Sequence, residues 1–254
     1  MEVYAFANQK GGVGKTTVTL GLAAALASQK LSALLIDLDP QASATKVLGV
    51  EAEERHTIAD VLLEPDRFSL SDVVVGTGWG FDLAPAETAL ASRESRRATA
   101  DEFILRWQLA DVVGYDVALV DCPPSLGLLT LNALTAASRL VVVTEASFLA
   151  LQGTAELLET LELVRTHYNQ EVELGGVIVN RVERTVEHRE SVIEIEQYFG
   201  ADLVWQPLLP KRTAVQDATR RGVPVDELAR RPARELAGAF ATLAGRLEVS
   251  GAAV

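Results

Sequence analysis

Short apolar runs recur along the chain, and most of them end in a polar loop. Val3–Ala7 is the first; Ala33–Ile36, Phe81–Ala84, Val117–Val120, Leu140–Thr144, Gly176–Val179 and Asp202–Val204 follow. Parallel strands covered on both faces read as continuous apolar runs rather than as strict alternation. Helix-forming segments lie between them, over 16–29, 90–111, Leu126–Ala137, about 151–168, 188–199, 213–221 and 233–248. In the last, Leu236, Phe240, Leu243 and Leu247 fall at i, i+4, i+7 and i+11, one face of a helix. Thr57-Ile58-Ala59-Asp60 has the form of a capping box and predicts a short helix. This alternation predicts an α/β fold: a doubly wound, mainly parallel sheet with helices on both faces. No linker, repeat or low-complexity run interrupts it, so residues 1–254 are expected to form a single domain.

The first loop carries the chemistry. Residues 10–17 read Lys-Gly-Gly-Val-Gly-Lys-Thr-Thr, between a strand and a helix. That context, with glycines that let the backbone approach an anion, marks a phosphate-binding loop. Backbone N–H groups and the helix N-terminus supply positive partial charge. Lys15 can reach the terminal phosphates of a nucleotide, and the Thr16 hydroxyl can ligate Mg²⁺. The usual G-x-x-x-x-G-K-[ST] pattern is not met in full: Gln9 stands at its first glycine, and an extra lysine, Lys10, stands at the entrance. That second cation needs an anionic partner of its own. Two further strands end in carboxylates, at Asp37-Leu-Asp39-Pro-Gln41 and Asp121-Cys-Pro-Pro-Ser125. Ligands of open α/β sheets bind beyond the carboxyl ends of the strands. Asp37, Asp39 and Asp121 are therefore expected near Lys15 and Thr16, where a nucleotide triphosphate with Mg²⁺ needs them.

Composition adds boundaries. The chain is 48% hydrophobic but only 6% aromatic, which suits an aliphatic core. No apolar run approaches the roughly 18–20 residues that span a membrane, and the N-terminus leads directly into the first strand, so no signal peptide is expected. A single cysteine cannot form an internal disulfide and fits a reducing cytoplasm; Cys122 reads as a buried thiol rather than a redox or metal group. The net charge of −12 argues at first against nucleic acid. Its distribution softens that argument: residues 179–254 hold 11 Lys and Arg against 11 Asp and Glu, and ten of those cations are arginine.

The three motifs in this order resemble the ParA-type partition ATPases, part of the wider group with a deviant Walker A loop that includes MinD and the nitrogenase iron protein. The resemblance runs from Asn8-Gln9 to the Pro210-Lys211 loop and Gly222-Val-Pro224. It is to the short members that lack an N-terminal helix-turn-helix domain. The resemblance implies a slow, partner-stimulated ATPase that dimerises face to face around two ATP molecules. Lys10, Gly11, Gly12, Val13, Gly14, Lys15, Thr16 and Thr17 then bind nucleotide, with Lys10 crossing to phosphate in the partner's site. Asp39 positions the attacking water and lies at the metal, Asp121 acts on Mg²⁺ through water, Asn180 contacts adenine, and Pro210 lies near the base. Asp37 is left between metal support and a structural role. The resemblance also implies non-specific binding of double-stranded DNA by the ATP dimer, a ParB-like or other cargo adaptor, and a cytoplasmic, nucleoid-associated protein without stable membrane association. Arg184, Arg189, Lys211, Arg212, Arg220 and Arg221 are the DNA-contact candidates, set against solvated pairing with Glu183, Glu187, Glu190 and Asp217.

Other classes fit less well. A MinD-like membrane switch needs a basic amphipathic C-terminal helix, and the last helix carries little basic charge beyond Arg246. An iron–sulfur member needs clustered thiolates, which one cysteine cannot supply. A dethiobiotin-synthetase-like ligase is disfavoured by Lys10 and the Asp-Pro-Gln loop.

Overall fold

A computed structural model describes residues 1–95, 99–147 and 150–249. In its first half, β1 (Glu2–Ala7), α1 (Lys15–Ser28), β2 (Ala33–Asp37), α2 (Ser43–Val47), α3 (Ile58–Leu63), α4 (Leu70–Val73), β3 (Val75–Gly76) and β4 (Asp82–Ala84) follow one another. The chain continues through α5 (Ala91–Ser95), α6 (Ile104–Ala110), β5 (Val117–Asp121), α7 (Leu128–Ala136), β6 (Arg139–Glu145) and α8 (Ala150–His167). It closes with β7 (Glu173–Asn180), α9 (Val186–Phe199), α10 (Thr213–Arg221) and α11 (Arg231–Ala244).

Among the described residues the strands form one sheet in the order β3-β4-β2-β5-β1-β6-β7. All pairs are parallel except β3 with β4. The apolar runs explain why. Val3, Ala5 and Ala7 of β1 enter one core layer, while Tyr4 and Phe6 enter the other. Except for the short edge strand β3, the strands are thus covered on both faces, and continuous hydrophobicity is what that burial requires. The stripe Leu236, Phe240, Leu243 and Leu247 is buried in the second layer against α1. Gly21 of α1 sits against the Phe240 ring, where a Cβ would collide. That face is core, and no helix among the described residues is long and apolar enough to cross a membrane.

Local signals held where they rested on hydrogen bonds. Thr57 Oγ1 accepts from Ala59 N at 3.2 Å, and Asp60 returns an acceptor to Thr57 N at 2.8 Å, completing the capping box. Two expectations need correction. The helix over 90–111 is divided into α5, a 3₁₀ turn at Asp101–Phe103 and α6, because Ala100 takes a left-handed φ of 66° and the buried Arg93–Asp101 pair at 2.5 Å fixes the turn. Residues 96–98 of that span lie outside the described residues. Asp202–Val204 is no strand; it contributes only a bridge from Val204 to Val177.

Candidate active site

The site is assembled by register. Phe6 pairs with Asp121, and Asp37 pairs with Asp121 from the other side. The carboxyl ends of β1, β2 and β5 are therefore level, and the loops that leave them meet. Gly14 caps α1 at φ 94°, a left-handed value that favours glycine, and no side chain caps the helix. Its first N–H groups are left facing the loop, as an anion site requires. A Cβ on Gly14 would also strike Asn180 Nδ2.

Lys15 is buried, and its Nζ donates to the Asn8 carbonyl at 3.0 Å. Burial lowers its pKa, while Asp121, Cys122 and Asp39 act in the opposite direction. Asp121 is wholly buried, and among the described residues neither carboxylate oxygen has a hydrogen-bond partner in good geometry, although the Thr16 hydroxyl stands beside it. Burial first, then the neighbouring Asp37, raise its pKa well above the carboxylate range; Thr16 and Lys15 offset part of this. Two orphaned carboxylate oxygens beside a Thr hydroxyl fit a hydrated divalent cation, which would supply the missing partners. Among the described residues no three His, Cys, Asp or Glu converge on a metal cage. Mg²⁺ bound chiefly by water, substrate phosphate and one or two side chains needs no such cage.

Asp37 differs. Its Oδ1 accepts from Asp39 N at 3.2 Å, and its Oδ2 from Thr45 N at 3.0 Å and Thr45 Oγ1 at 2.8 Å. Thr45 Oγ1 in turn accepts from Ala86 N at 2.9 Å. Both oxygens are occupied by the backbone and side chain of the β2–α2 segment, so Asp37 is the brace of the loop that carries Asp39. Its pKa is pushed up to about 6 by burial, against the pull of those hydrogen bonds. Asp39 itself is only half-buried and opens to the cleft.

Two clefts meet here. The first, about 420 Å³, is lined by Gly11, Gly12, Gly14, Lys15, Thr16, Thr17 and Asp39, with Lys46 and Arg181 at its edge. The second, about 410 Å³, is lined by Thr17, Asn180, Arg181 and Pro210. Asn180 Nδ2 donates to the Val13 carbonyl at 2.9 Å, and its Oδ1 accepts from Arg181 N at 2.9 Å. In this chain its amide therefore ties β7 to the phosphate loop. Val13 is fully buried beneath that loop. Lys10 lines neither cleft; its Nζ meets Glu145 Oε1 at 2.5 Å and Ser147 Oγ at 3.5 Å. Cys122 is a buried thiol whose pKa burial drives upward.

The basic candidates divide. Lys211 pairs with Glu183 at 2.9 Å, Arg212 with Glu235 at 3.4 Å, and Arg220 with Asp217. Exposed Arg184, Arg189 and Arg221 form no ion pair among the described residues. Sequence reading passed over Arg181, whose left-handed φ of 56° falls on a residue type that gives no signal of it. It also passed over Glu145 as the neighbour of Lys10.

The comparisons agree with this geometry. A family model described as an AAA domain matches residues 1–174. The sporulation initiation inhibitor protein Soj of Bacillus subtilis is 35% identical over 88% of this chain and 90% of its own. The chromosome partitioning protein ParA of Caulobacter vibrioides is 36% identical, covering 89% and 86% of the two chains. A Mycobacterium smegmatis structure described as cobyrinic acid a,c-diamide synthase, bound to an ATP analogue and magnesium, superposes with a TM-score of 0.82 at 32% identity, over 96% and 93% of the chains. With its deviant phosphate loop and these relatives, the chain belongs to the ParA/MinD superfamily of P-loop ATPases, which hydrolyse ATP with Mg²⁺.

Proposed function

We propose that this ATPase forms an ATP-dependent dimer that binds DNA without sequence preference and positions a plasmid, chromosome or other cargo with an adaptor protein that stimulates hydrolysis. The observation that carries this reading is the placement of Lys10. It stands at the entrance of the phosphate loop yet lies outside that loop's own cleft. That placement supports a phosphate target for Lys10 in a second copy of the chain. Partition proteins among the relatives support the cargo role, and Arg184, Arg189 and Arg221, which form no ion pair among the described residues, support the DNA role.

The residues divide the work as phosphoryl transfer to water requires, mainly by position and charge. Lys15 and the loop N–H groups hold the β- and γ-phosphates. Thr16 and Asp121 would hold Mg²⁺, which when bound would neutralise phosphate charge. Asp39, steadied from behind by Asp37, orients the water. Asn180 and Pro210 bound the side of the site that takes the base. An amide-forming synthase, the activity in the mycobacterial relative's name, is the second reading. It gains nothing from Lys10, and the buried Cys122 cannot serve as a nucleophile that releases ammonia from glutamine.

Light scattering tests the dimer. The mass should double with a non-hydrolysable ATP analogue and remain monomeric with ADP. Asp39→Ala should keep the ATP-bound dimer and lower turnover at least tenfold; undiminished hydrolysis would assign the water to another group.

A further inference from the structure

We propose that Arg181 is a further nucleotide-contacting residue, placed to bind the α-phosphate at the junction of base and phosphate. This rests on the assignment of the two clefts to one ATP molecule. Among the described residues only Thr17 and Arg181 line both clefts. Arg181 therefore stands where the ribose and α-phosphate of a nucleotide must pass from one cleft to the other.

Three observations make its position more than incidental. Its φ of 56° is a left-handed value that costs a non-glycine side chain energy, and such conformations persist where surrounding structure holds them. Here the holding contacts are evident. Arg181 N donates to Asn180 Oδ1 at 2.9 Å, and the next residue, Val182, exchanges backbone hydrogen bonds with Leu209 and Lys211 at 3.0 and 3.1 Å. The turn thus swings the side chain out of β7 toward the cleft mouth. The third observation is charge. Lys10 and Lys211, near the second cleft, are bound to Glu145 and Glu183. The exposed guanidinium of Arg181 has no acidic partner among the described residues, although Glu183 and Glu187 line the same cleft. A planar, permanently charged fork suits phosphate oxygens better than an ammonium does.

A contact to the α-phosphate is common to ATP and ADP. Removing it should weaken both by the same factor, about tenfold or more, the range for hydrogen bonds to charged groups. The experiment titrates fluorescent ATP and ADP analogues into wild type, Arg181→Ala, Arg181→Gly, Arg181→Lys and, as a site control, Lys15→Ala. Arg181→Gly separates the side chain from the backbone, because glycine adopts the left-handed turn without cost. The proposal expects equal losses of affinity for Ala and Gly, partial recovery with Lys, and no loss of thermal stability without nucleotide in any of the three. Wild-type affinity in Arg181→Gly, with Lys15→Ala impaired, would overturn the role of Arg181 and leave the site intact. Wild-type affinity in Lys15→Ala would overturn the site and this inference together. Normal nucleotide affinity with lost DNA retention would make Arg181 a DNA contact and refute the proposal.

Discussion

Lys10 Nζ lies 2.5 Å from Glu145 Oε1 of the same chain, joining the phosphate-loop entrance to the end of β6. If Lys10 serves a partner's phosphate, this internal pair competes with dimerisation. Glu145→Gln should therefore lower the ATP concentration at half-dimerisation by up to about fivefold, the equivalent of the ~1 kcal/mol at the upper end for a partly exposed pair. Lys10→Ala should bind ATP as a monomer and fail to dimerise. Light scattering across an ATP titration reads both; an unchanged midpoint in Glu145→Gln would show that the pair does not restrain Lys10.

Asp121 is a buried carboxylate whose oxygens have no hydrogen-bond partner in good geometry among the described residues. In the absence of nucleotide and metal it should cost stability, so Asp121→Asn is expected to stabilise the chain by about 1–2 kcal/mol, a few degrees in Tm, while abolishing hydrolysis. Thermal unfolding in EDTA checks the first part and phosphate release the second. A destabilised, active variant would remove Asp121 from the metal position.

The pH dependence has a defined sign. Asp37 titrates at about 6 in the folded chain, against an ordinary value of 3.8. Between those values the folded state keeps a proton that the unfolded chain has released, so stability from this group is full below ~4 and is lost as pH rises through about 6. Without metal, the wild type should gain thermal stability as pH falls from 7 toward 5, and Asp37→Asn should reduce that slope, the remainder coming from Asp121, whose pKa is also raised. An equally steep slope in the variant would place the titration elsewhere.

Much of this was legible in the chain. The strands of the sheet centre are covered on both faces, and such strands must be apolar throughout, so β1, β2, β5, β6 and β7 announced themselves. The phosphate loop is local, and its glycines and Lys15 act through residues next to them in sequence. What escaped was either too short to carry a period, such as α2, α4 and β3, or fixed by distant partners. The break before α6 depends on Arg93 meeting Asp101 and on a left-handed alanine, and neither leaves a pattern. Lys10 and Glu145 are 135 residues apart, so their pairing exists only once β1 and β6 are neighbours. The brace that holds Asp39 likewise needed Thr45 to reach Asp37.

The basic residues should not contribute equally to DNA binding. Lys211, Arg212 and Arg220 already hold carboxylates, whereas among the described residues Arg184, Arg189 and Arg221 do not. Arg221→Glu should weaken DNA retention more than Lys211→Glu does, with basal ATP hydrolysis unchanged in both. Retention reduced more by Lys211→Glu would reverse this assignment.

The central claim is a nucleotide-gated, sequence-independent grip on DNA, and one binding measurement tests it most directly. Two unrelated duplexes are presented to the wild-type protein at low salt, with ADP or with a non-hydrolysable ATP analogue. The account predicts binding only with the ATP analogue, equal for both duplexes and falling steeply as salt is raised, because phosphate contacts release counterions. Equal binding in both nucleotide states, or none in either, would contradict it.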